Sequence, residues 1–169
     1  MARRCPVQLR TCLLLCVLAL TPNPASGQDS SADSKPEYRN PARAFSEVKR
    51  GERIFVVEKQ LLDEDVATAN KALDRLNTNI ELALTILPRH AHEHVAKQKF
   101  WLLYGPKSTG GGRDNGLAYF RPGSPKFDEK RHEDWNSVVV VYHAQNYVTL
   151  TDLWALKAVL HELGHAYQL

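Results

Sequence analysis

Residues 149–169 read TLTDLWALKAVLHELGHAYQL, and this stretch decides the fold. Thr149 and Asp152 have the spacing of a capping box, in which a hydroxyl and a carboxylate serve the unpaired backbone N–H groups of the first helical turn. Apolar residues then recur at intervals of three and four, at Leu153, Leu156, Leu160, Leu163 and Tyr167. The pattern predicts an α-helix with one apolar stripe directed into a core.

The predicted helix carries a candidate metal-binding pair, His161 and His165. Residues i and i+4 lie above one another on one helix face, so both imidazoles can reach a single Zn²⁺. Glu162 lies about 100° around the helix, where its carboxylate can act as a general base toward water held by the metal. This division of roles is that of a zinc peptidase. A structural pair of helix histidines is the competing interpretation, because a five-residue motif also arises by chance.

Residues 158–167, AVLHELGHAY, resemble the active-site helix of the zincin metallopeptidases. The resemblance implies that His161 and His165 are zinc ligands and that Glu162 is the general base. It also implies an α+β fold, in which a twisted, mostly antiparallel or mixed sheet and a long backing helix precede the active-site helix. Gln168 stands where the metzincin subgroup has a glycine. The chain is therefore more similar to the gluzincins, in which a glutamate on a later helix supplies the third ligand.

No third zinc ligand follows the motif. Only residues 166–169, AYQL, come after His165, and none of them is a usual zinc ligand. The same residues include no Gly, Asn, Pro or basic residue of the kind that ends helices. We therefore expect residues 45–169 to be a truncated zincin-like catalytic half, whose third ligand lies beyond Leu169.

The first 27 residues have the features of a cleaved secretory signal. Three arginines precede an apolar run at residues 12–20, and Ala25-Ser26-Gly27 is a small-residue cleavage site. A transmembrane helix needs about 20 apolar residues, and this run is much shorter. We therefore expect export to a periplasmic or extracellular location without stable membrane insertion.

Removal of that signal changes the charge of the chain. Residues 1–27 hold three arginines and no acidic residue, so 19 basic (22 − 3) and 19 acidic residues remain, which gives a formal net charge of zero. A neutral chain gives no electrostatic reason to expect nucleic acid as a partner. The three cysteines also lie in the signal, so an exported chain must depend on its core or its metal rather than on disulfides.

The rest of the sequence predicts a linker followed by strands and one long helix. Residues 28–44 are rich in Ser, Asp, Pro and Lys without apolar periodicity, which predicts a disordered linker. Strands are predicted at residues 53–58, 99–104, 117–120 and 137–142, the last a valine run typical of a strand buried on both faces. Asp63 or Asp65 can cap the long backing helix, which ends at Pro88 and has apolar residues at Val66, Ala69, Leu73, Leu76, Ile80, Leu84 and Leu87.

The other histidines and a glycine-rich stretch give weaker signals. His90, His92 and His94 would align on one side of an extended segment as a second metal site, although a solvated turn is the favoured interpretation. His132 and His143 are the remaining candidates for a third ligand, and for His143 a polar role at a strand end is favoured. Residues 109–116, TGGGRDNG, lack the spacing of a phosphate loop. They predict a hairpin tip that either touches substrate or is a plain solvent loop.

Together these features predict a secreted zinc metallopeptidase that hydrolyses protein or peptide substrates, with Zn²⁺ as its cofactor and with a catalytic site that is incomplete in this fragment. A different class also agrees with the sequence: a secreted binding or structural domain that keeps a zincin-like scaffold without catalysis. Zinc content and the effect of a change at Glu162 distinguish the two hypotheses.

Overall fold

The structure is a computed structural model that describes residues 37–122 and 131–168. The predicted signal, residues 1–27, and residues 28–36 of the predicted linker lie outside this part of the chain. Residues 37–44 belong to the folded domain, because the side chains of Tyr38 and Arg43 are buried. The linker prediction is therefore wrong for these residues. Tyr38 packs against Trp135 and Tyr142, and Arg43 pairs with Glu58. Local composition gives no sign of these contacts.

A five-stranded mixed sheet forms the centre of the domain. In chain order its strands are β1 (Phe45–Arg50), β2 (Arg53–Glu58), β3 (Lys99–Leu102), β4 (Leu117–Phe120) and β5 (Val138–Val141). Their order across the sheet is β1-β2-β3-β5-β4. β2, β3 and β5 are parallel to one another, whereas the edge strands β1 and β4 are antiparallel to their neighbours. The predicted α+β class with a mixed sheet is confirmed.

The first strand of the sheet is one that the sequence pattern did not predict. β1 forms a hairpin with β2, in which Arg50 pairs with Arg53 and Gly51 takes a φ of 57° in the turn. Exposed Glu47 and Lys49 alternate with partly buried neighbours along β1. Charged side chains are common on edge strands because they prevent further strand pairing, and they hide the apolar alternation on which strand prediction depends.

In the described part of the chain five α-helices accompany the sheet: α1 (Lys59–Glu64), α2 (Val66–Ile86), α3 (Arg89–Ala96), α4 (Ala144–Thr149) and α5 (Asp152–Tyr167). A short 3-10 helix spans Gly105–Lys107. α2 is the predicted backing helix, and the Thr68 N–H donates to the side chain of Asp65 at its N-terminus. It packs against α4 and α5, and its apolar side chains join those of β2, β3 and β5 in one core. Within the described residues, no helix is both long and apolar enough to cross a membrane.

The opposite face of the sheet is covered by a second apolar cluster. Its buried members are mostly aromatic or β-branched: Tyr38, Trp101, Leu103, Trp135, Val138, Val140 and Tyr142. Val139 and Val141 belong to the first core and Val138 and Val140 to the second, so β5 is buried on both faces as its valine run predicted. Along the chain, the short helix α4 connects β5 to α5.

The histidine cluster after Pro88 is helical rather than extended. His90, His92 and His94 lie on α3, where His92 Nε2 is 3.0 Å from the Leu87 carbonyl oxygen. A helix turns by about 100° per residue, so His92 diverges from His90 and His94, which lie one turn apart, and the three imidazoles do not align as they would in an extended segment. The His90 ring lies 5.5 Å from that of Tyr167, and α3 thereby supports the last turn of α5.

The start and the buried face of α5 also differ from the prediction. Thr149 ends α4, and Thr151 is the N-cap of α5, with the Trp154 N–H 3.4 Å from its hydroxyl. Leu153 is 74% exposed and Tyr167 41% exposed, so the predicted apolar stripe is wrong at both ends. The side of α5 that faces the core instead carries Ala155, Val159, Glu162, Leu163 and Ala166.

The corrected cap gives a direct prediction. Thr151→Ala should lower the free energy of unfolding by about 1 kcal/mol, because the first turn of α5 loses its side-chain acceptor. Thr149→Ala is the matched control, since that hydroxyl donates only to the Asn146 carbonyl of its own helix, and we expect about 0.5 kcal/mol or less for this surface change. Urea unfolding of both variants measures the difference. A larger loss in Thr149→Ala than in Thr151→Ala would contradict this assignment of the cap.

Candidate functional site

The last turns of α5 bring His161 and His165 together. Their Nε2 atoms are 3.1 Å apart, and their ring planes are close to perpendicular, at 82°. Both residues are exposed. The exposure leaves the two nitrogens open to a ligand from solvent.

The distance between these nitrogens fits two ligands of one zinc ion. Imidazole nitrogens bind Zn²⁺ at about 2.0–2.1 Å in a tetrahedral arrangement, which separates two ligand atoms by about 3.3 Å. The observed 3.1 Å lies close to that value. The same distance also permits a hydrogen bond between two neutral imidazoles, one donating and one accepting. A shared zinc ion and a hydrogen bond between the imidazoles therefore predict nearly the same separation.

Glu162, the residue between the two histidines, is directed toward the sheet. Its side chain is largely buried, with 9% exposure, and its Oε2 accepts a hydrogen bond of 2.7 Å from the Tyr119 backbone N–H. Tyr119 lies on β4, an edge strand, so N–H groups on the outer side of that strand have no neighbouring strand to bond. One oxygen of Glu162 provides that missing acceptor.

This hydrogen bond orients the carboxylate while leaving it able to take a proton. Among the described residues, no group donates a hydrogen bond to Glu162 Oε1. This oxygen is not fully buried, so solvent can reach it. A general base needs a carboxylate oxygen free to accept a proton in a fixed position. The Tyr119 N–H fixes one oxygen, and the other remains available to a water molecule.

A small cleft lies between β4 and the end of α5. It has a volume of about 310 Å³ and is lined by Tyr119, Arg121, His165 and Gln168. Tyr119 therefore both lines the cleft and anchors Glu162. Sequence reasoning identified His165 but not Tyr119 or Arg121, because their nearness to the motif depends on how β4 packs against α5.

The other candidate ligands lie in different surroundings. The Nδ1 atom of His143 is 2.7 Å from the Asp114 carbonyl oxygen. His132 packs against the rings of Phe45 and Trp101, and burial lowers its pKa while nearby Asp134 opposes the shift. Within residues 37–122 and 131–168, no three His, Cys, Asp or Glu side chains are grouped to hold one metal ion. His161 and His165 therefore remain a pair of candidate ligands without a third such side chain grouped with them in this part of the chain.

A buried carboxylate elsewhere in the domain, Glu58, is fully engaged in structural contacts. It is 1% exposed and pairs with Arg43, whose Nε lies 3.0 Å from Oε1 and whose Nη2 lies 3.3 Å from Oε2. The Tyr104 N–H donates to Oε2 at 2.9 Å, and the Ser108 hydroxyl donates to Oε1. With four donors around it, this carboxylate has no capacity left for a metal or a substrate.

The glycine-rich stretch is joined to the same network. Arg43 Nη1 donates to the Gly111 carbonyl at 2.8 Å, and the Glu37 N–H donates to the Gly110 carbonyl at 2.9 Å. A Cβ at Gly112 would lie 2.3 Å from the Gly105 carbonyl oxygen, so only glycine permits this approach of the two backbones. These contacts hold residues 110–112 against the N-terminal segment of the domain.

Comparison with known proteins gives no relative: no family model, no curated protein and no solved structure matches this chain.

Proposed function

We propose that this protein is a zinc-dependent metallopeptidase in which His161 and His165 bind the metal and Glu162 is the general base. The observation that carries the proposal is the 3.1 Å separation of the two Nε2 atoms on an exposed face of α5. Zn²⁺ bound there would supply Lewis acidity toward water and a substrate carbonyl. The predicted export of the chain would place this activity outside the cytoplasm.

In this proposal each residue of the chain has a separate role. The two imidazoles hold the metal, and the Tyr119 N–H keeps Glu162 Oε2 in place. Glu162 Oε1 takes a proton from the attacking water and later returns it to the leaving amine. Peptide binds in the cleft beside His165, where Arg121 and Gln168 offer polar contacts.

A non-catalytic secreted binding or structural domain is the second candidate. Its support is the number of ligands, because the described residues provide two imidazoles for a metal that usually takes at least three protein ligands. Such a domain would bind zinc weakly or not at all, and it would not depend on Glu162.

Zinc titration of the purified chain tests the metal site. We expect one Zn²⁺ per chain, and we expect His161→Ala and His165→Ala each to weaken its affinity by roughly 10–100-fold or more, since even the loss of an outer-shell partner costs that much. The measurement is calorimetric titration, with a chromophoric chelator as competitor.

His94→Ala is the matched control, because it removes an exposed imidazole that also lies one helical turn from another histidine, His90, on α3. It should bind zinc as the wild type does. Equal affinity in all four proteins would mean that the motif histidines do not bind the metal. Zinc binding that depends on both histidines, without hydrolysis of any peptide in a diverse mixture, would favour the non-catalytic candidate.

A further inference from the structure

Arg121 is the cationic side chain of the cleft beside His165, and no carboxylate of residues 37–122 or 131–168 pairs with it. The other lining residues are Tyr119, His165 and Gln168, none of which is acidic. Among the described residues, no ion pair or hydrogen bond of the Arg121 guanidinium is found, and the residue is exposed. Two arginines elsewhere in the domain have a carboxylate partner, Arg50 with Asp74 and Arg75 with Asp152.

The position of Arg121 along the chain directs it to the same side as Tyr119. Residues i and i+2 of an extended segment place their side chains on one face, and both of these residues line the cleft. The Tyr119 N–H also fixes the carboxylate of Glu162. Tyr119, which anchors the proposed general base, and Arg121 are therefore two residues apart on one short segment.

We propose that Arg121 binds a carboxylate of the peptide substrate and so makes the cleft selective for anionic peptides. This inference rests on the proposed peptidase function. A guanidinium presents parallel N–H groups that match the two oxygens of a carboxylate, and none of the described residues that line the cleft is acidic and competes for them. In a peptide the carboxylate comes from the C-terminus or from an Asp or Glu side chain, and both have the same chemistry.

Binding to the metal-free protein tests this role without depending on catalysis. Four versions of one short peptide serve as probes, with a free or amidated C-terminus and with Glu or Gln at one internal position, and chelator is present throughout. We expect one of the two carboxylates to improve binding by roughly five- to tenfold over its neutral counterpart. In Arg121→Ala this preference should disappear, and Arg121→Lys should restore part of it, because an ammonium keeps the charge but not the paired geometry.

Arg113→Ala is the matched control, since it removes an arginine that lies over the Tyr142 ring rather than in the cleft. Its preference should equal that of the wild type. Loss of the C-terminal preference alone in Arg121→Ala identifies the terminal carboxylate as the ligand, and loss of the Glu preference alone identifies the side chain. The inference is overturned if the wild type binds all four peptides equally, or if Arg121→Ala keeps the preference.

Hydrolysis distinguishes a failure of this inference from a failure of the proposed function. If the protein cleaves peptides but charged and neutral substrates have the same KM in wild type and in Arg121→Ala, the peptidase stands and the carboxylate site does not. If no peptide is cleaved but the metal-free protein still prefers one carboxylate through Arg121, the cleft is a binding site for anionic peptides and the proposed catalysis fails.

Discussion

Glu162→Gln is expected to reduce peptide hydrolysis by roughly 10²–10⁴-fold, the usual contribution of a general base. The amide has nearly the same shape as the carboxylate, and its oxygen can still accept the hydrogen bond from the Tyr119 N–H. We therefore expect the zinc affinity and the unfolding temperature to change little. The measurements are initial rates on a peptide mixture, zinc titration and thermal unfolding of the same preparations.

Two further variants give this prediction its controls. Glu162→Ala also removes the acceptor of the Tyr119 N–H, so it should cost about 1–3 kcal/mol of folding stability in addition to the loss of hydrolysis. Glu47→Gln makes the same chemical change at an exposed position of β1 and should leave rates and stability unchanged. Hydrolysis by Glu162→Gln at the wild-type rate would show that another group acts as the base.

The elements that the sequence predicted well are those with strong local periodicity. Residues 53–58 and 117–120 form β2 and β4 as predicted, and the apolar spacing from Ala69 to Ile80 places α2 against the sheet. Side chains return to the same face about every 3.6 residues in a helix and every 2 residues in a strand, and these two periods are enough to recognise such elements in the sequence. The α+β class follows from such elements and does not require knowledge of the site.

The errors occur where distant contacts override a local pattern. On α5 the predicted stripe included Leu153, yet this residue is exposed whereas Ala155 and Glu162 face the core. The close approach of β4 and α2 to α5 favours small residues on that face, and hydropathy alone does not report this. The hydrogen bond from the Tyr119 N–H of β4 to Glu162 also depends on tertiary packing, so local sequence does not predict it.

Some residues of the candidate site could likewise be predicted from the sequence, whereas others could not. The spacing of His161 and His165 predicts two aligned imidazoles, and the structure brings their Nε2 atoms to 3.1 Å. Tyr119 and Arg121 carry no motif, because their importance arises only when the edge strand lies beside the end of α5. A sequence motif can therefore indicate candidate reacting groups, whereas the residues that lie beside them are identified only from the fold.

Glu58→Ala is expected to have the largest effect on folding, with a loss of about 3–5 kcal/mol, because it leaves the buried guanidinium of Arg43 without its counter-charge. The Tyr104 N–H and the Ser108 hydroxyl lose their acceptor as well. A loss of this size is a large part of the stability of a small domain. Urea unfolding followed by tryptophan fluorescence measures it.

The control for Glu58→Ala is the same change at an ion pair in solvent. Glu93 pairs with Lys97 at 2.7 Å, but both side chains are mostly exposed, so Glu93→Ala should cost about 0.5 kcal/mol or less. Since Arg43→Ala and Glu58→Ala break the same contact, the double variant should lose less stability than the sum of the two single losses. Equal unfolding midpoints for Glu58→Ala and Glu93→Ala would contradict this prediction. The buried pair of Arg43 and Glu58 would then not be what holds residues 37–44 and 110–112 to the sheet.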